Sequence, residues 1–266
     1  KNLQSSIDSG LTNILYTPNK KMQKKLARLS FEELGDAFHV FVLGQVSFPF
    51  HIALKMGVKL VFYGENGEAE YSGDPKFFDK PLKPISKWKD QYFKGNNFID
   101  LIDYGIKNKK YLNKEDINDA DLKYYSPPKV EDLEKAGIKG KSFFSYYNKW
   151  IPQENFYYCV ENTGFRPNFE RSEGTYSKYA SLDDKMDGFH FYLRYIKFGL
   201  GRCCEDASHE IRDGHITREE GIALMKKYEG EFPKKYFKEF LEYLDINENH
   251  FWKVVDSWRL NHIWKK

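Results

Sequence analysis

The spacing of apolar residues gives the chain three textures. Near the start, Asn13 to Tyr16 is a short apolar run closed by Thr17-Pro18-Asn19, which predicts a strand leaving through a turn. Met22, Leu26 and Leu29 then recur at helical spacing, with Lys20, Lys21, Lys24, Lys25 and Arg28 on the other faces, so a helix with a solvated basic side is expected. A second helix, Gly44 to Met56, leads to Gly57. Val58, Leu60, Val61, Phe62 and Tyr63 follow as a β-branched and aromatic run between Gly57 and Gly64, the pattern of a strand buried on both faces of a parallel sheet. Strand, helix, helix, strand in this order fits a crossover between parallel strands.

From residue 72 to 150 the chain is rich in Lys, Asp, Asn, Gly and Pro. Helices are expected around Phe98 to Ile106 and, after Pro127-Pro128, around Val130 to Ala136. Phe143 to Trp150, FFSYYNKW, reads as an aromatic strand or edge segment, and Pro152 as a helix start. The third texture is helical: one helix through Phe189, Leu193 and Ile196 capped by Ser181 or Asp183 and broken at Gly199, one from Arg202 to Arg212, and one opened by the capping box Thr217-Arg218-Glu219-Glu220. Lys234 to Leu244 and Glu248 to Trp258 complete the set, with their aromatics assigned to core. These textures divide the chain into an α/β sheet region at 1–75, an insertion over the sheet's carboxyl edge at 76–150, and a helical C-terminal region at 151–266.

Composition narrows the function classes. With 266 residues, 42 Lys and Arg against 39 Asp and Glu leave a charge of only +3, too balanced to argue for nucleic acid as a partner. Mean hydropathy is −0.70, and no apolar run approaches the roughly 18 residues of a membrane span, so a soluble protein is expected. Cys159, Cys203 and Cys204 form no C-x-x-C motif and read as reduced thiols in a cytoplasmic protein.

Two stretches carry candidate chemistry. In VKLVFYGENGEAEY, Val58 to Tyr71, a strand runs into Glu65, Asn66, Glu68 and Glu70, and open parallel sheets bind ligands beyond the carboxyl ends of their strands. Three close carboxylates suit a Mg²⁺-nucleotide or polar-substrate edge, or equally a solvated acidic loop. The second stretch, Thr163 to Lys178, reads TGFRPNFERSEGTYSK. A connection of this length bearing Arg166, Arg171, Glu173, Thr175, Tyr176 and Lys178 reads as a functional loop or as a surface loop held by its own ion pairs. Other sites fare worse. The seven histidines lack zinc spacing, Asp116, Asp119 and Asp121 lack the glycine and glutamate of a calcium loop, and no Walker, G-x-G-x-x-G or G-x-S-x-G motif occurs.

The succession LYTPNKK, ALKMGVKLVFYGENGEAEYSG, PQENFYYCVENTGF, ERSEGTYSKYASLDDKMDGFHFY, KFGLGRCCEDASHEIRDGHITREEGIAL and GEFPKKYFKEFLEYLDI closely resembles the bacterial N-acetyl sugar amidotransferases. These are cytoplasmic enzymes of surface-polysaccharide and flagellin-sugar biosynthesis in the PP-loop superfamily. The resemblance implies a partial PP-loop (HUP-like) parallel sheet with an insertion and a C-terminal helical domain. It also implies a ligase-type reaction, in which ATP with Mg²⁺ activates the oxygen of a sugar N-acetyl group and ammonia replaces it to give an acetamidino group. Ammonia is expected from a glutaminase subunit working with a cyclase-like channel subunit.

The family's N-terminal zinc knuckle and Ser-Gly-Gly-Lys-Asp-Ser phosphate loop have no counterpart in this sequence, which therefore resembles the C-terminal two-thirds of such an enzyme. What remains to carry over is Gly64, Glu65 and Asn66 as nucleotide-side residues and Glu68 and Glu70 as catalytic, Mg²⁺-holding residues. Arg171, Glu173, Thr175, Tyr176 and Lys178 are carried over as sugar contacts. Two rivals stand beside this reading: a PP-loop tRNA-modifying enzyme, and a non-catalytic module that binds a sugar or a partner.

Overall fold

A computed structural model describes residues 2–70, 74–87 and 98–264, apart from the side chains of Asn2, Ala69 and Glu70. Tyr71, the last residue of the acidic stretch, and the Glu70 side chain lie outside the described part. In chain order the main elements begin with α1 (Asn2–Asp8), α2 (Lys20–Leu34), α3 (His39–Met56), β1 (Val61–Tyr63), α4 (Gly67–Glu70) and β2 (Leu82–Pro84). They continue with α5 (Phe98–Asn108), α6 (Asp119–Leu122), α7 (Val130–Lys135), β3 (Gly140–Phe143) and α8 (Pro152–Asn162). The last five are α9 (Asp187–Phe198), α10 (Arg202–Asp213), α11 (Arg218–Tyr228), α12 (Phe237–Leu244) and α13 (Glu248–Ser257). The fold is mixed α/β with a helical C-terminal region.

The chain forms two compact units, residues 18–29 with 39–150 and residues 1–17, 30–38 and 151–266. In the first, Met22, Leu26 and Leu29 of α2 meet Val40 and Leu43 of α3 and Phe98 and Ile102 of α5 in one core cluster. Val46, Phe50 and Ala53 of α3 close a second cluster against Val61, Ile85, Leu133 and Ile138. Each helix thus buries the stripe that its 3.6-residue spacing dictates.

The sheet departs from expectation. Its strands run in the order β1-β3-β2, with β1 parallel to β3 but β2 antiparallel to it, so it is mixed rather than parallel. Two of the three described strands come from 76–150. The run Val58–Tyr63 is hydrogen-bonded as strand only from Val61, and its position at the edge leaves Val58, Leu60 and Phe62 exposed, so it is not buried on both faces. No strand forms over Asn13 to Tyr16: no described strand pairs with this run, and Leu15 is 77% exposed. The predicted crossover therefore does not exist in that form. The aromatic run at 143–150 is strand only at Phe143; Phe144–Tyr146 turns as a 3₁₀ helix.

Strand β3, GKSF, is buried along its whole length although its sequence shows no apolar alternation. Gly140 is required there, because a Cβ at that position would sit 2.2 Å from the carbonyl oxygen of Lys83 on the neighbouring strand.

The second unit is organised by aromatic rings. Phe31, in the last turns of α2, stacks on Phe251 of α13 at 5.6 Å and meets Phe240 of α12 edge-on at 5.8 Å. Phe189 of α9 lies 4.0 Å from Phe240, and all four rings are buried. His250 of α13 pairs with the buried Glu32 at 3.0 Å, and His190 of α9 with the buried Asp36 at 2.9 Å. Helix ends follow the local chemistry. Asp184, rather than Ser181 or Asp183, caps α9 by accepting from the backbone N–H groups of Met186 and Asp187. Gly199 ends α9 in the left-handed conformation, and Thr217 with Glu220 forms the expected capping box on α11.

Candidate functional site

The stretch after β1 turns Asn66 and Glu68 inward. Gly64 leaves the strand near the Trp150 ring, Glu65 is exposed, and Asn66 is buried, its side-chain oxygen accepting from the Glu68 backbone N–H at 3.2 Å. Glu68 is wholly buried. One carboxylate oxygen accepts from Lys83 Nζ at 2.6 Å and the other from the Asp74 backbone N–H at 2.7 Å. Lys83 stands opposite Lys141 in the β2–β3 register, and the Lys141 ammonium sits 4.2 Å from the centre of the Tyr63 ring. The sequence reading missed both lysines, because lysines in short polar strands ordinarily face water. Among the described residues no three His, Cys, Asp or Glu side chains are grouped so as to hold a metal ion. With the Glu68 carboxylate committed to Lys83 and a backbone N–H, the described residues of this edge do not offer Mg²⁺ a ligand set.

The polar loop at 163–181 folds on itself and then onto the helices that follow. Asn168 N–H donates to the Lys178 carbonyl and Ser172 N–H to the Ser177 carbonyl, both at 2.9 Å. Arg171 makes a bidentate pair with Glu231 at 2.6 and 2.8 Å, and its guanidinium lies 4.5 Å from the centre of the Tyr228 ring. Their hydrogen bonds are the leading reason why the Arg171 pKa is raised and that of Glu231 lowered. The same Glu231 carboxylate accepts from Gly174 N–H at 2.8 Å. Glu173 accepts from the backbone N–H groups of Lys234 and Lys235, just ahead of α12. Thr175 is fully buried and donates to Asp206 of α10 at 2.5 Å, while Arg202 Nε donates to the other Asp206 oxygen at 3.0 Å. Of the predicted loop residues, Arg171, Glu173 and Thr175 therefore shape the loop, and Lys178 is exposed.

Tyr176 is different. Its hydroxyl oxygen is buried and makes no hydrogen bond of ordinary geometry, yet it is close enough to Glu210 of α10 to help hold down that carboxyl's pKa. Burial first, then the charges of Glu210 and Asp206, pushes up the phenols of both Tyr176 and Tyr179. Tyr179 donates to Gln153 of α8 at 2.8 Å and stacks on Phe156 at 4.5 Å. Glu210 itself is raised, by burial and then by Asp206, and burial lowers the pKa of the neighbouring His209. The loop thus delivers a threonine and two tyrosines to a face of α10 on which Arg202, Asp206 and Glu210 recur every fourth residue. That spacing was visible in RCCEDASHE; what it lacked was any sign that the loop would cover it.

The remaining candidates are structural. Glu229 caps α10 by accepting from the backbone N–H groups of Gly201 and Cys204. Cys203 is buried, and burial pushes its thiol up to about 12, so it does not supply a thiolate nucleophile.

Residues 173–266 match the model described as LPS biosynthesis protein WbpG-like, C-terminal domain. The matched stretch contains Thr175, Tyr176, Tyr179, Asp206 and Glu210. It supports a role in lipopolysaccharide sugar biosynthesis. No curated protein matches the chain. Among the described residues no single helix is long and apolar enough to cross a membrane.

Proposed function

We propose that this protein is the sugar-handling part of a cytoplasmic, ATP-dependent amidotransferase that converts an N-acetyl group of a bacterial surface-glycan sugar into an acetamidino group. The observation that carries the reading is the match of residues 173–266 to the WbpG-like C-terminal domain of lipopolysaccharide biosynthesis. The polar set that the loop brings onto α10 supports it, since Tyr, Glu, Asp and His side chains are the donors and acceptors that recognise a polyhydroxylated ring.

Chemically, an amide oxygen leaves only after it has been given a phosphoryl substituent, and ATP supplies that group. Ammonia from a glutaminase partner, delivered with a cyclase-like channel subunit, then adds to the activated carbon. The C–O bond breaks, the oxygen departs on the phosphoryl group it carries, and the nitrogen sheds a proton to leave the acetamidino group. The role of this chain's own residues is to bind and orient the sugar so that the activated carbon meets ammonia in one geometry. Glu68, committed to Lys83, belongs to the scaffold in this account, and no step is assigned to Mg²⁺ at that edge. Gly64, Glu65, Asn66 and Glu70 remain proposals for the nucleotide side.

The closed Glu68–Lys83 pair also favours a second reading, a non-catalytic module that binds the sugar or the glutaminase partner. Deleting the gene in the source organism and analysing its surface polysaccharide by mass spectrometry separates the two. The enzyme reading expects an acetamidino sugar to be replaced by its N-acetyl precursor, with recovery on complementation. An unchanged glycan contradicts it.

A further inference from the structure

Phe62, Phe144, Tyr146 and Tyr147 form a connected group of rings on the surface of the sheet-bearing unit. Phe62 of β1 lies 6.3 Å from Phe144 and 6.0 Å from Tyr147, and Tyr147 lies 5.1 Å from Tyr146. All four are exposed, Tyr147 by 64%, and Val58 and Leu60 on the chain entering β1 are exposed as well. Connected apolar groups left in water mark a contact surface, where single exposed residues would not. Exposed lysines border the rings in sequence: Lys59 between Val58 and Leu60, Lys139 ahead of β3, and Lys149 after Tyr147, against the exposed acids Glu65 and Glu134.

Charge and composition decide what covers this face. The near-neutral total hides an asymmetry. Residues 18–29 and 39–150 hold 23 Lys and Arg against 15 Asp and Glu, a net charge of +8, while the other unit holds 19 against 24, a net charge of −5. A second copy would set this basic unit against itself. Arg28 is the unit's single arginine. Protein interfaces are enriched in arginine and depleted in lysine, and nucleic-acid phosphates are gripped best by arginine's planar fork. The rings also cross edge to face, at 81°, 74° and 82°, so they do not form a row of parallel platforms for bases, and Val58 and Leu60 have no π-face to stack on. An anionic bilayer suits each part. Phe, Tyr and aliphatic side chains enter the headgroup boundary, and lysine stems lie along apolar surface while their ammonium groups meet lipid phosphates.

We propose that this face docks the protein peripherally on an anionic lipid bilayer. Phe62, Phe144, Tyr146 and Tyr147 enter the interface, and Lys59 and Lys139 lie over its charged headgroups. The proposal is independent of the amidotransferase reading and stands or falls by lipid binding alone.

The test is flotation of the native protein, purified from its source organism, with vesicles of phosphatidylethanolamine and phosphatidylglycerol in equal parts and with vesicles of phosphatidylcholine alone. The protein is expected to float with the anionic vesicles and far less with the neutral ones, and to lose most of its binding at high salt, a readout that needs no variant to fold. Tyr146→Ser with Tyr147→Ser, and separately Lys59→Gln with Lys139→Gln, are each expected to weaken binding about tenfold with the melting temperature little changed. A wild type that stays unbound, or binding that salt and both variants leave unchanged, overturns the proposal. So does a face occupied otherwise: self-association in sedimentation velocity, or binding of a fluorescent oligouridine, that the tyrosine variant abolishes while anionic vesicles stay bare.

Discussion

At the scale of single residues, the structure separates side chains that hold the fold from those left for chemistry. Glu68 and Lys83 are the clearest case of the former. The pair is buried, with 1% and 3% of their side-chain surfaces exposed, so removing one partner leaves the other charge without its neighbour in a poor solvent for ions. Glu68→Gln is expected to destabilise the protein by about 3–5 kcal/mol in urea unfolding, whereas the double change Glu68→Met with Lys83→Met should recover most of that loss. A metal-binding Glu68 would behave in the opposite way, losing activity with little change in stability. Asp184 gives a pH signature. Burial raises its carboxyl to about 6, above the 3.8 of an ordinary aspartate. A folded-state pKa above the unfolded one means that this group's contribution is fully present below about 3.8 and is lost as the pH rises through about 6. Asp184→Asn keeps an acceptor oxygen for the cap of α9. It is expected to raise the melting temperature above pH 6 and to flatten its dependence between pH 4 and 7.

At the scale of elements, the longer helices were legible, whereas the short ones at Asn2–Asp8, Gly67–Glu70 and Asp119–Leu122 and the sheet were not. Met22, Leu26 and Leu29 announce α2, and Thr217 with Glu220 announces α11, because a helix carries its periodicity and caps within one short stretch of chain. Strand β3 carries no such signal. Its residues are buried by what neighbouring strands and helices do to them, and a glycine and a lysine in a four-residue run give no pattern of period two. The apolar run at Val58–Tyr63 misleads for the same reason, since a strand at an edge exposes the side chains that an interior strand would bury. Gly140→Ala tests this reading of β3. The 2.2 Å contact with the Lys83 carbonyl should force β2 and β3 apart, and hydrogen exchange at the Lys141 to Phe143 amides should quicken relative to α12 and α13. In the ring-packed unit, Phe31→Ala removes the side chain on which Phe240 and Phe251 rest, and a loss of about 3–5 kcal/mol in denaturant unfolding is expected.

At the scale of the whole molecule, the candidate site was half visible. Thr175 stands out because a long polar loop is rarely idle, but Asp206, to which it donates, lies 31 residues on, in a helix that the sequence marks only by its bounds. Only tertiary contact turns Asp206 and Glu210 into members of the same site. Tertiary contact also assigns Arg171 and Glu173 to shaping the loop, through Glu231 and the N-terminal approach to α12. The match of residues 173–266 to a lipopolysaccharide biosynthesis domain gives that region its chemical context, and the amidotransferase proposal adds to it what the sequence resemblance implies.

The most direct measurement supplies the native protein purified from its source organism with Mg·ATP, isotope-labelled ammonium and N-acetylated sugars, and follows the sugars by mass spectrometry and the nucleotide by chromatography. The account predicts labelled nitrogen in an acetamidino group, with one ATP consumed for each sugar changed. Sugars returned unlabelled by a folded protein that binds them, with no ATP consumed, would contradict it and leave a binding module.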